Sequence, residues 1–185
     1  MTIGRTFLNG KLLVGYKRTN IESWLYDGAP ILSKVSTPDV PTDKFLEFRK
    51  QVGLAIREIN LNAAGKELVA AYQAIGQVYE VVPSCGGGFF VPACEAARAA
   101  GYEFVDGCDG VISWDPVTGF KDFPAWVVLA HELGHAIQLH TSGKSSQGWF
   151  NDYGLNQQAI ELDNIRRHET PIVQTLGLTP RTTYP

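Results

Sequence analysis

Apolar residues recur at helical spacing early in the chain. Phe45, Phe48, Val52, Ile56 and Ile59 step by three or four, so a helix with one apolar stripe is expected from about Asp43. A second helix is expected over Ala63 to Ile75, ended by Gly76. Val78-Tyr-Glu-Val-Val82 reads as a strand. Upstream, Asn9-Gly10 between the apolar stretches of Thr6 to Val14 signals a short hairpin. The stretch carrying Pro30, Pro38 and Pro41 reads as an irregular arm. The chain thus divides into 1–42, an N-terminal arm or hairpin extension, and 43–185, the main domain.

The pattern loosens from Cys85 to Gly110, where a loop-rich segment with a short Ala-rich helix around Ala93 to Ala100 is expected. Gly86-Gly87-Gly88 lacks the Lys-Ser/Thr of a phosphate loop and reads as a flexible turn. Val111-Ile-Ser-Trp114 looks like a strand closed by Asp115-Pro116. A helix then starts near Pro124 and is apolar nearly all round through Trp126, Val127, Leu129, Leu133 and Ile137, the signature of a buried helix. Another fits Asn156 to Glu169 and ends before Pro171. The fold class is α+β, a small mixed sheet with a buried helix and a later helix beside it.

The buried helix carries chemistry. His131-Glu-Leu-Gly-His135 is an HExxH motif, and residues four apart share a helix face, so both imidazoles can reach one ion. Glu132, one step round, can take a proton from water beside that ion. Burying two imidazoles and a carboxylate without partners costs several kcal/mol, roughly 2–7 per polar group, and a metal satisfies all three. The expected cofactor is one zinc ion per chain.

A catalytic zinc usually has a third protein ligand. His140 falls five residues after His135, about 140° round a continuing helix, and reads as a helix-end residue. Thermolysin-like enzymes take the third ligand from a later helix, which makes Glu161 the leading candidate, with Asp163 and Glu169 as alternatives.

Composition narrows the setting. The 185 residues carry 44% hydrophobic and 19% charged side chains, a globular balance. A net charge of −3 and a pI near 5.8 give no footprint for nucleic acid. No apolar run approaches a membrane span, and Met1-Thr-Ile-Gly-Arg5 lacks the apolar core of a Sec signal. Cys85, Cys94 and Cys108 match no zinc-ribbon spacing and read as free thiols, with one disulfide open in an oxidising compartment.

Three segments carry a family resemblance: Val111-Ile-Ser-Trp-Asp-Pro116, Val128-Leu-Ala-His-Glu-Leu-Gly-His-Ala136, and the ending Glu161-x-x-Asn-Ile-x-x-x-Glu169 with Leu176-Gly-Leu-x-Pro-Arg-x-x-Tyr184. In these the chain resembles the zinc endopeptidases found as NleD-like bacterial type III effectors and as toxin tips of contact-dependent secretion proteins. The Arg-x-x-Tyr ending is also similar to clostridial neurotoxin light chains, where such a pair faces the substrate.

The resemblance implies a zincin-like metallopeptidase domain that cleaves a protein of a target cell. It implies delivery by a dedicated non-Sec system, with an immunity or chaperone protein as a possible partner. It also directs Arg181 and Tyr184 to transition-state stabilisation. Glu169 would then accept a hydrogen bond from one histidine ring and orient it.

Two other function classes fit less well. One is a small metallohydrolase of non-protein amides. The other is a partner-binding module keeping a structural zinc, which normally has four Cys and His ligands. An endopeptidase holds extended substrates on a free strand edge, and Val111 to Trp114 is the expected edge.

Overall fold

The computed structural model describes residues 6–8, 12–14, 42–84, 86–104 and 106–184, with side chains from Leu46 onward. The irregular arm, the Asn9-Gly10 turn and Cys85 lie outside the described residues. Two short strands, β1 (Thr6–Leu8) and β2 (Leu12–Val14), pair antiparallel as the hairpin signal predicts.

Two helices come next. In α1 (Thr42–Leu61) the predicted stripe is buried at Phe48, Val52, Ile56 and Ile59. Asn62 then caps α2 (Ala63–Ile75), its side chain accepting from the Gly65 amide at 3.0 Å. Gly76 ends α2 in the left-handed region, at φ 79°.

The sheet continues with β3 (Tyr79–Pro83), β4 (Gly88–Pro92) and β5 (Gly110–Trp114), in the order β1-β2-β3-β5-β4. Strands β2, β3 and β5 are parallel, and β4 runs antiparallel to β5. Two expectations are corrected here. The loop-rich segment contains β4, a Phe-Phe-Val run whose strand character was hidden by the three glycines before it. As a result β5 is interior, paired on both sides, and among the described residues the outer strand at that end is β4. The Ala-rich helix is present as α3 (Glu95–Ala99).

The HExxH helix is α4 (Ala125–Thr141), with Pro124 just before it and eleven buried residues from Val127 to Leu139. Trp114 at the end of β5 donates its indole N–H to the Ala125 carbonyl at 2.7 Å, which ties the start of α4 to the sheet. Helix α5 (Ser146–Asn164) begins ten residues earlier than expected and bends at Asn156, whose φ of −128° breaks the helical run.

Pro171 does not end the helical run. A π turn (Ile165–Glu169) links α5 to α6 (Thr170–Thr175), and Pro171 sits in the first turn of α6. The Thr170 N–H reaches back five residues to the Ile165 carbonyl. That wider turn lets the chain pass a proline that lacks a donor. Among the described residues no helix is long and apolar enough to cross a membrane.

Candidate metal centre and catalytic cleft

Helices α4 and α5 cross where their small residues allow it. A Cβ on Gly134 would stand 2.3 Å from the Asn164 Oδ1, so only glycine lets the second helix come this near. Asn164 uses the approach to donate its Nδ2 to the His131 carbonyl at 2.9 Å. The contact brings Glu161 onto the HExxH face. His131, His135 and Glu161 are all buried, and one ligand atom from each lies within 4.8 Å of the others.

The geometry converges on one carboxylate oxygen. Glu161 Oε2 stands 3.0 Å from His131 Nε2 and 3.3 Å from His135 Nε2. The other nitrogen of each ring is engaged elsewhere. His135 Nδ1 faces the Gln138 Oε1 at 3.2 Å, and Gln138 donates its Nε2 to the Ile160 carbonyl and to Asp163 Oδ2, both at 3.0 Å. Those two bonds fix the amide so that its oxygen must accept, which makes Nδ1 of His135 the protonated nitrogen. Burial holds the His135 pKa below the ordinary histidine value, so its ring is neutral. Nε2 therefore offers a lone pair towards another acceptor, the Glu161 carboxylate.

Two acceptors facing each other in a dry site call for a cation between them. Ligands of a four-coordinate zinc at about 2.0–2.2 Å lie roughly 3.3–3.6 Å from one another, close to the 3.0 and 3.3 Å from Glu161 Oε2 to the two histidine nitrogens. The donor set fits a metal ion, and these three residues could hold one.

Around that set, Glu169 Oε2 lies 3.0 Å from His131 Nδ1. Arg181 pairs with both Glu169 oxygens, at 2.7 and 2.5 Å, and its guanidinium lies 4.5 Å over the Phe120 ring. Tyr184 lies on the same cleft wall, 5.9 Å from that guanidinium. The sequence-predicted residues His131, Glu132, His135, Glu161, Glu169, Arg181 and Tyr184 thus all line one cleft of about 180 Å³. His140 is exposed, away from it. Asp163 faces Arg166 and Arg167 and reaches His135 only through Gln138.

Electrostatics separate the acids. Burial pushes the Glu132 carboxyl up to about 8, against the pull of the neighbouring His131. Burial acts to raise the Glu161 carboxyl, but the hydrogen bond from His131 and the two neighbouring imidazoles prevail and hold it well below the carboxylate range. Glu169 is lowered in the same way by His131 and Arg181. For His131, burial acts downward, but bonds to Glu161 and Glu169 prevail and raise it to about 9 in the metal-free protein.

Sequence reasoning missed three contributors. Gln138 lies one helical turn beyond His135, a spacing that was available to find it. Tyr153 donates to Glu161 Oε1 at 2.5 Å, but it precedes the expected start of its helix. Gly88 packs against Glu132, since a Cβ there would stand 2.9 Å from the Glu132 Cγ and Oε1. No local pattern signals that contact. Comparison with protein families, curated proteins and solved structures returns no match for this chain.

Proposed function

We propose that this chain is a zinc-dependent endopeptidase of the zincin type, acting on a protein of a target cell as its NleD-like resemblance implies. The observation that carries the reading is the His131–His135–Glu161 cluster, in which the lone pairs of His135 Nε2 and Glu161 Oε2 converge with no donor between them. His131, His135 and Glu161 would hold the ion, which when bound supplies Lewis acidity to a carbonyl and lowers the pKa of water towards about 7.

The chain's own groups do the rest. Glu132 has a carboxyl poised near neutrality, fit to take a proton from the attacking water and return it to the departing amine nitrogen. Arg181 and Tyr184 stand on the cleft wall as donors for the oxyanion. Gly87 to Phe90 line the cleft at strand β4, whose outer edge is unpaired among the described residues and suits an extended peptide better than a small amide.

The test compares wild type with Glu132→Gln in a candidate target lysate, profiling new protein termini and measuring zinc per chain. One zinc in both proteins, with new termini only in wild type, is the expected outcome. Equal cleavage by the variant would refute the mechanism.

A further inference from the structure

We propose that Tyr153 is a positioning residue that restricts Glu161 to a one-oxygen ligand, its hydroxyl saturating Oε1 so that Oε2 alone faces the histidines. The inference rests on the zinc reading above.

The two oxygens of Glu161 have different surroundings. Oε2 stands 3.0 and 3.3 Å from the two Nε2 atoms, and Oε1 accepts from the Tyr153 hydroxyl at 2.5 Å. The direction of that bond is fixed by a third residue. Gln157 donates its Nε2 to the Tyr153 oxygen at 3.1 Å, which leaves the phenol proton for Glu161.

The phenol cannot easily turn away. Its ring stacks on Trp149 with centroids 5.2 Å apart and meets His135 edge-on at 6.1 Å. Trp149 is itself buried at 2% exposure and packs edge-on against Phe90 of β4. The hydroxyl is therefore anchored to the sheet through two aromatic rings.

This matters because a carboxylate turns easily about its last carbon–carbon bond. Unrestrained, Glu161 would offer both oxygens, and with two histidines that makes four protein donor atoms. A catalytic zinc instead has three protein ligands and an open fourth position. Tyr153 keeps that position open by holding the outer oxygen 2.5 Å from its own hydroxyl.

Tyr153→Phe removes the hydroxyl and keeps the ring packing, so the variant should fold. The probe is cobalt(II) added to metal-free protein, read by visible absorption, with zinc affinity measured against a competing chelator. Wild type should give the intense bands of a four-coordinate ion. The variant should lose intensity per cobalt as its coordination number rises, and its zinc affinity should shift by roughly ten- to a hundredfold.

Unchanged bands and affinity in Tyr153→Phe would overturn the positioning role while leaving the metal site intact. Failure of wild type to take up cobalt or zinc would overturn the metal reading itself, and the role of Tyr153 with it.

Discussion

Glu161 and Glu169, eight positions apart on one continuous helical run, each place a carboxylate oxygen 3.0 Å from a different nitrogen of the same ring, that of His131. In an unbroken α-helix such residues stand roughly 80° apart around the axis. The π turn over Ile165–Glu169 takes up most of that offset by winding more residues into one turn. The irregularity thus brings both acids to one imidazole, which explains why an uncommon turn persists beside the cluster.

Glu169→Gln tests that arrangement. The amide keeps the shape but loses the charge that orients His131 and neutralises Arg181, itself only 10% exposed. Zinc affinity should fall roughly ten- to a hundredfold. The metal-free protein should lose about 3–5 kcal/mol, the cost of stranding one partner of a buried ion pair. Chelator competition and denaturant unfolding measure the two effects separately, and wild-type values in both would remove Glu169 from the site.

Gly88→Ala should damage activity without touching the metal ligands. The added methyl would meet Glu132 Cγ and Oε1 at 2.9 Å and Val128 Cγ1 at 3.0 Å, so the carboxyl must move. Misplacing a catalytic group by about 1 Å can cost 100-fold in rate. Peptide hydrolysis should drop by about that factor with zinc content unchanged. A fully active Gly88→Ala would mean that Glu132 has more room than the geometry allows.

Much of this was legible along the chain, and the failures share a cause. The apolar stripe of α1, the Gly76 stop after α2 and the all-round apolar run of α4 fix the positions of these three helices. HExxH is local, because helical spacing alone puts His131 and His135 on one face. Strand β4 is hidden because Gly86-Gly87-Gly88 reads as a flexible turn, and the first half of α5 is hard to see because it carries two glycines, the weakest helix formers after proline. In the structure Gly88 sits within β4, and Gly148 and Gly154 lie inside α5. The contact of Gly88 with Glu132 and the bond from Tyr153 to Glu161 join residues through tertiary packing, which no window along the sequence contains.

The metal-free protein should become less stable as pH rises from about 6.5 to 9. Below 6.5, His135 and His168, both held under the ordinary histidine value by burial, pull the other way. Glu132 ordinarily titrates near 4.5 but stays protonated to about 8 when folded, so between those values its own contribution to stability falls as pH rises. His131 adds to the same trend. Its folded value of about 9 exceeds the ordinary 6.5, so its contribution is full below 6.5 and lost as pH passes 9. Zinc competes with the His131 proton, so the gain in Tm on adding zinc should grow over the same interval. Thermal melts with and without metal, at roughly 2–4 °C per kcal/mol for a chain of this size, would show both slopes. Glu132→Gln should flatten the metal-free curve between about 6.5 and 8, leaving only the His131 part. A wild-type curve that is flat or rising above about 6.5 would contradict these protonation states.

Arg181 has two possible lines of action, and a double-mutant cycle separates them. Its Nε and one Nη engage Glu169, and that Nη also lies 3.2 Å from His131 Nδ1, so it could act only by holding that acid and the His131 ring beside it. It also stands on the cleft wall with Glu132 and Tyr184, where a guanidinium can stabilise the charge that develops on a peptide oxygen. Arg181→Ala should lower kcat by roughly ten- to a thousandfold under either account. The difference appears when Glu169→Gln is already present. If Arg181 works only through Glu169, adding Arg181→Ala should cost little more, because its partner is gone. If it meets the substrate, the second substitution should still cost at least tenfold in kcat at saturating zinc. We expect the second result, with a smaller loss for Arg181→Lys, which retains charge without the planar fork. A double variant no slower than Glu169→Gln alone would confine Arg181 to positioning His131.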